Sequence, residues 1–235
     1  MINSIKNKLA IVICTYKRSN LLFLLLNDIF RQNYQPNAII IVDGDHRSND
    51  VLKMLNEHFK NAWIKIIYEP SNYGNLAYQR YLGWRIAEQE QPDYLLYFDD
   101  DLRINNINSI ERLIEPMQKD HNILGITAET DTGSKGHLAS QPIFNREKTK
   151  PKFFEKIIKK MGSARNISQG GLAPSGNRVA PEKKSDGFVE VEWLQGRVML
   201  YRMNAISQNS FSEDLFALDH IRCDLGEDTF LSRKI

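Results

Sequence analysis

Through its first half the chain alternates short apolar runs with longer segments whose apolar positions recur at helical spacing. Leu9–Cys14, Ala38–Val42 and Trp63–Tyr68 read as strands, and Asn20–Gln32, Asp50–Phe59 and Asn75–Glu90 as the helices between and after them. Tyr94–Phe98 closes the series as a fourth strand. Strands separated by helices of this length predict an α/β fold. Its sheet is mixed but mainly parallel, with right-handed crossovers and helices on both faces.

Beyond Asp101 the rhythm loosens. Asn108–Asp120 reads as a helix and Ile123–Thr127 as a strand, but Thr130–Gly187 is scattered Gly, Ser, Pro and Lys with little periodicity. A stretch that long without regular pattern is more often functional than idle. Val189–Trp193 and Arg197–Tyr201 then read as antiparallel strands, and Asp224–Ile235 opens a helix. With no internal repeat and no separating linker, a single domain over 1–235 is expected, divided into halves at 1–105 and 106–235.

Composition narrows the class without naming it. The 235 residues are 42% hydrophobic and 26% charged, ordinary for a soluble globular protein. A net charge of +2 is too small to argue for a nucleic-acid partner. The longest apolar run, Leu21–Leu26, lies inside a helical pattern and is far too short to span a membrane. Met1–Lys8 lacks the apolar core of a signal peptide, and Cys14 and Cys223 are too few for a disulfide framework. A reduced, cytoplasmic setting is the expectation.

The candidate chemistry begins with Asp99-Asp100-Asp101, directly behind the Tyr94–Phe98 run. In open α/β sheets, ligands bind outside the carboxyl ends of the strands. Two carboxylates about 5 Å apart repel by roughly 3 kcal/mol at an effective dielectric near 20, so such a cluster invites a cation. Asp oxygens suit Mg²⁺ or Mn²⁺ shared with a substrate phosphate. A solvated turn capping the next helix is the plainer alternative.

Other strand ends add to this edge. The first strand runs into Thr15-Tyr16-Lys17-Arg18 with no GxGxxG or Walker glycines, which speaks against a dinucleotide site or P-loop. Thr15 and Tyr16 can offer a hydroxyl and a ring to a base, or serve as a helix start and a packed aromatic. Asp43, in Val42-Asp43-Gly44-Asp45, ends the second strand and is either a ligand contact or a turn carboxylate. Arg80 lies about one and a half turns into the helix after Asn72-Tyr73-Gly74-Asn75, within reach of the strand ends.

Taken in order, these stretches resemble the family-2 glycosyltransferases of the GT-A (Rossmann-like) fold. The matching segments are Ala10–Leu22, Ile39–Asp45, Asn72–Ala87, Tyr94–Leu102, Val191–Arg202 and Gly226–Ser232. Asp43-Gly44-Asp45 departs from the usual Asp-Asp-Gly-Ser form, and the Thr130–Gly187 stretch has no clear counterpart. The resemblance implies polysaccharide biosynthesis with a nucleotide-sugar donor, commonly a UDP-sugar, a glycan or lipid-linked acceptor, and Mn²⁺ or Mg²⁺. It makes Thr15, Tyr16, Arg18, Asp43 and Arg80 base and ribose contacts. Asp99 and Asp101 become the DxD metal pair, with Asp99 also towards the ribose and Asp100 between them in the donor site. Trp193, Gln195 and Gly196 resemble the segment lining the donor sugar and acceptor.

In Gly226-Glu227-Asp228-Thr229 the local sequence allows a helix N-cap. The resemblance instead assigns Asp228 as the general base that takes the acceptor hydroxyl proton, with Glu227 orienting the acceptor. Two competitors are a sugar nucleotidyltransferase or nucleotide-sugar hydrolase, and a non-catalytic binding module. The first would show a glycine-rich phosphate loop after the first strand, and the second would need neither Asp228 nor a metal pair. Asn145–Arg165 carries eight Lys or Arg against two Glu and contains an amphipathic run, Lys152–Lys160. It reads either as a solvated helix packed on the domain or as a peripheral contact with anionic lipid at the inner face of the membrane. Because the chain stops soon after Asp228, where relatives commonly continue with further helices, a C-terminally truncated chain is expected.

Overall fold

A computed structural model of the chain describes residues 7–45, 47–128, 191–192, 194, 196–211 and 231. Within them the order is β1 (Leu9–Thr15), α1 (Ser19–Phe30), β2 (Ala38–Asp43), α2 (Asp50–His58), β3 (Lys65–Pro70), α3 (Leu76–Gln89) and β4 (Tyr94–Asp99). There follow α4 (Ser109–Lys119), β5 (Gly125–Thr127) and β6 (Val198–Arg202), then short 3-10 turns at Met203–Ala205 and Gln208–Ser210. The strand–helix alternation expected from the apolar periodicity is present element for element up to β4.

The six strands form one sheet in the order β3-β2-β1-β4-β6-β5. The first four are mutually parallel, and β6 and β5 add an antiparallel margin. Every residue of β1 and β2 is buried, which explains their unbroken apolar sequences: a central parallel strand is covered on both faces. The strand order reverses beside β1, between β2 and β4. This is the switch point where the crossover helices diverge and leave an open crevice at the carboxyl ends.

Alternation along the strands builds two layers. Ile11, Ile13, Ile39, Ile41, Leu96 and Phe98 face the core shared with α1, α2 and α4, filled by Leu22, Leu25, Leu26, Ile29, Met54, Ile114 and Met117. Each fully buried Leu or Ile contributes about 1.5–3 kcal/mol, so this layer dominates the stability. On the other face α3 packs across β1 and β2. A Cβ on Gly83 would overlap Val12 Cγ1, so only glycine lets the helix lie this close to the sheet. The N-cap Asn75 accepts the Tyr78 N–H at 2.9 Å and fixes where α3 begins.

Several boundaries differ from the sequence reading: α1 closes at Phe30 rather than Gln32, and β3 runs on to Pro70 rather than Tyr68. β3 starts at Lys65, and Trp63, 74% exposed, packs edge-to-face on Phe30 at 4.9 Å instead of joining the strand. β5 begins at Gly125, later than Ile123. Val191 and Glu192 are not in a strand, and the rest of Val189–Trp193 lies outside the described residues. Of Asp224–Ile235 the structure describes Leu231, which is helical and buried. The chain divides into two units, one of residues 1–129 with 194–235 and one of residues 130–193; everything below concerns the first. Among the described residues no helix is long and apolar enough to cross a membrane.

Candidate active site

The carboxyl ends of β1, β2 and β4 meet in register at the switch point. Thr15 pairs with Asp43 across β1 and β2, and Cys14 with Asp99 across β1 and β4. The aspartate triplet therefore starts on the last residue of β4 and turns out of the sheet beside Thr15. Asp99 is pinned by its own N–H, which donates to Arg197 O at 3.0 Å, and by Leu102 N–H, which donates to its carbonyl at 3.4 Å.

The three carboxylates do not share one environment. Asp100, 4% exposed, turns inward. It accepts the Thr15 hydroxyl at 2.7 Å and Arg18 Nη1 at 3.1 Å, so the inner carboxylate is engaged within the edge. The side chains of Asp99 and Asp101 each keep about a third of their surface in solvent. Each has a guanidinium beside it: Arg80 Nη2 lies 3.5 Å from Asp99 Oδ1, and Arg18 Nη1 lies 3.4 Å from Asp101 Oδ2. Burial pushes the Asp99 carboxyl up to about 6, with Asp101 and Asp100 adding to the rise and Arg80 and Arg197 opposing it. Burial also raises Asp100, against the pull of Thr15 and Arg18.

Arg80 sits on the sheet-facing stripe of α3 with Ala77, Gly83, Trp84 and Ala87 and is 3% exposed. Its Nη2 donates to Gly196 O at 3.0 Å, and its carbonyl accepts the Tyr97 hydroxyl at 3.1 Å. A buried cation so held brings a fixed positive charge to the strand ends. Asp43 is also buried; it accepts Tyr68 Oη at 3.1 Å and the Asp45 N–H at 2.9 Å. Burial raises its carboxyl above the ordinary range, and burial together with Asp43 pushes the Tyr68 hydroxyl up to about 12. Gln79 ties the two strand ends together by donating from Nε2 to Thr15 O and Val42 O, both at 3.0 Å. Gly44 N–H donates to Thr15 O at 2.9 Å, and a Cβ at Gly44 would stand 3.0 Å from Gly74 Cα.

The turn after β1 carries local strain. Lys17 has φ 57°, the left-handed region that a lysine enters only at a cost. That turn lets the chain double back so that Arg18, the N-cap of α1, faces the triplet. Tyr16 is left half exposed on the surface beside Gly74.

Of the residues named from the sequence, Thr15, Arg18, Asp43, Arg80, Asp99, Asp100, Asp101 and Gly196 thus share one edge, with Tyr16 at its rim. Trp193, Gln195, Glu227, Asp228 and the basic Asn145–Arg165 segment lie outside the described residues. Gln79 and Tyr68 were not anticipated. Gln79 left a signal: it is a polar residue placed between Ala77 and Arg80 on the apolar side of a helix.

Among the described residues no three His, Cys, Asp or Glu side chains form a ready-made metal cluster. The donor set nevertheless fits a divalent cation. Asp99 and Asp101 supply two hard, partly solvated oxygens, and Mg²⁺-type sites commonly use one or two carboxylates and complete the shell with water and phosphate.

The family model for glycosyl transferase family 2 matches residues 10–173. No curated protein matches the chain in sequence. Among solved structures the chain is similar to a mannosyltransferase from Pyrobaculum calidifontis in complex with GDP-Man and Mn²⁺. The identity is 11% over 97% of this chain and 51% of that one, with a TM-score of 0.54. It is also similar to S. aureus TarS 1-349 (13% identity, 97% of this chain, 54% of that one, TM-score 0.55). The TarS structure in complex with UDP gives 14% identity, 96% and 54% coverage, and a TM-score of 0.55. The chain spans about half the length of these structures. At such identities the likeness is one of fold, the mainly parallel GT-A sheet with helices on both faces. By the extent of the family match, the chain belongs to glycosyl transferase family 2.

Proposed function

We propose that the chain is a metal-dependent, inverting glycosyltransferase that moves a sugar from a nucleotide-sugar donor, first of all a UDP-sugar, to a hydroxyl of a glycan or lipid-linked acceptor. The observation that carries the reading is the meeting of Thr15, Arg18, Asp43, Arg80, Asp99 and Asp101 at one sheet edge. Family membership supports the reaction class. The UDP complex of TarS supports the choice of donor, and the GDP-Man complex of the Pyrobaculum calidifontis mannosyltransferase makes GDP-sugars the comparison donor.

In this reading Asp43 and Thr15 frame the base and ribose, and Tyr16 and Gly74 line their rim. Arg80 and Arg18 place positive charge where the diphosphate lies. Asp99 and Asp101 hold Mn²⁺ or Mg²⁺, and Asp100 fixes the turn from within. Bound there, a divalent cation would supply Lewis-acid neutralisation of the diphosphate. Trp193, Gln195 and Gly196 line the donor sugar. Asp228 takes the proton of the acceptor hydroxyl as its oxygen attacks the anomeric carbon from the face opposite the diphosphate, and Glu227 orients the acceptor. Inversion follows from that single displacement. A cytoplasmic location, with the basic 145–165 segment touching anionic lipid, belongs to the same proposal.

Product analysis with a panel of UDP-, GDP- and dTDP-sugars and Mn²⁺ tests the reading: transfer supports it, and free nucleotide-sugar synthesis or hydrolysis alone refutes it. Asp228→Asn is expected to abolish transfer and leave UDP affinity within about twofold, since a general base contributes to the step and not to nucleotide binding. Equal loss of UDP affinity removes Asp228 from this role.

A further inference from the structure

The segment that leaves the triplet is strapped to α1 by a buried carboxylate. Asp28, 1% exposed in the last turn of α1, accepts Arg103 Nε on Oδ2 at 2.6 Å and Arg103 Nη2 on Oδ1 at 3.2 Å. Its Oδ2 also accepts the Ile104 N–H at 3.0 Å, and Arg31 closes on Oδ1 from the same helix. A forked guanidinium pair with an added main-chain bond is among the most orienting arrangements a carboxylate can make.

Just past the C-terminal end of α1, Gln32 Nε2 donates to Asn106 O at 3.0 Å, and Ile110 N–H donates to Gln32 Oε1 at 3.3 Å. Asn33 N–H donates to Ile107 O at 2.8 Å. The other end of α1 holds Arg18 against Asp100 and Asp101. α1 and the residues that flank it thus grip the β4–α4 connection both at the triplet and immediately after it. Asp101 stands between the two grips, two residues before Arg103.

Building on the metal-dependent reading above, we propose that Asp28 is a positioning residue: through Arg103 and Ile104 it sets the direction in which Asp101 leaves the sheet edge, and so the geometry offered to the divalent cation. Asp28 touches neither cation nor donor. Its influence runs through the main chain, so loss of the strap loosens the metal pair without removing a ligand.

Arg103 gives the cleaner handle, because its side chain is half exposed and its loss leaves no large cavity. Mn²⁺ binding is read by electron paramagnetic resonance in the presence of UDP, for wild type, Arg103→Gln and Asp28→Asn. UDP affinity without metal and thermal midpoints are measured in parallel. Both variants are expected to bind Mn²⁺ about tenfold more weakly, the lower end of what outer groups around metal ligands contribute. Metal-free UDP affinity is expected to stay unchanged. A merely structural strap predicts lower melting temperatures with Mn²⁺ affinity within about twofold of wild type, and that result overturns the proposal. If the wild type itself binds no Mn²⁺ with UDP, the metal-dependent reading falls and this inference with it. Binding by wild type and both variants alike removes the inference alone.

Discussion

Gly83→Ala tests how α3 is seated on the sheet and whether that seating serves the site. In a free helix the change is favourable, because alanine is preferred over glycine by up to about 1 kcal/mol. Here the new Cβ would overlap Val12 Cγ1 and stand 3.3 Å from Cγ2 and 3.4 Å from Cβ. Val12 cannot yield, being β-branched and fully buried in β1 between β2 and β4. Forcing a methyl into a packed core costs about 1–3 kcal/mol, and the overlap at Gly83 argues for the upper end. The net expectation is a loss of about 1–2 kcal/mol by urea denaturation, the packing term exceeding the propensity gain. Val12→Ala removes the obstructing methyls, so the double variant is expected to be about 1–2 kcal/mol more stable than additivity allows. Because Gln79 and Arg80 lie one turn earlier on α3, Gly83→Ala is also expected to weaken UDP binding. A Gly83→Ala protein as stable as wild type, or strict additivity with Val12→Ala, refutes this seating.

The strained turn gives the opposite sign: Lys17→Gly is expected to stabilise by about 0.5–1 kcal/mol in urea melts, the relief of a left-handed residue less the unfolded-state entropy of glycine. A destabilised variant contradicts it. Asp99, with its carboxyl near 6 when folded against about 3.9 unfolded, binds its proton more tightly in the folded state. Its contribution to metal-free stability is full below the unfolded value and lost as pH rises through the folded one. Asp99→Asn is therefore expected to flatten the decline in melting temperature between about pH 4 and pH 6; an unchanged decline assigns it to other groups. Mn²⁺ is expected to tighten UDP binding by about tenfold or more in calorimetry while leaving uridine nearly unaffected, and equal effects on both ligands count against the diphosphate placement.

The centre of the sheet was legible because β1, β2 and β4 are unbroken apolar runs, each ended by a chemically distinctive residue. Thr15, Asp43 and Asp99 were found as the residues where those runs stop. Arg80 was legible as a charge within reach of that edge, and its place in an apolar helical stripe explains its burial. Asp28 lies among the buried residues of α1 in the same way and Gln32 is buried just past its end, but their partners lie some seventy-five residues on. Periodicity marks a buried polar side chain without saying what satisfies it. Trp63 failed as a strand residue for a related reason: its aromatic character fits a strand, yet it packs on Phe30 from outside the sheet. Position along a run carries the strand ends; long-range pairing carries the rest.

Electrostatics then decides why three adjacent aspartates are tolerated. Like carboxylates about 5 Å apart repel by roughly 3 kcal/mol at an effective dielectric near 20, a sizeable share of a domain's net stability. The fold meets this unevenly. Asp100 is drawn inside by Thr15 and Arg18, which fixes the turn but spends one guanidinium contact on the inner carboxylate. Arg80, buried and anchored on Gly196, stands beside Asp99 and opposes the rise of its carboxyl, which burial above all holds near 6. Asp101 shares Arg18 with Asp100 and faces solvent. The two carboxylates that keep contact with solvent, Asp99 and Asp101, edge the crevice where the diphosphate is proposed to lie. A diphosphate arriving alone meets both this outward acidity and arginines already occupied by aspartates. A cation arriving alone must compete with those same arginines. In the proposed reading, a cation and a diphosphate bound together would take the carboxylates and the guanidiniums respectively, and each would remove what opposed the other. Reciprocal coupling between metal and diphosphate, absent for the bare nucleoside, follows from that exchange of partners.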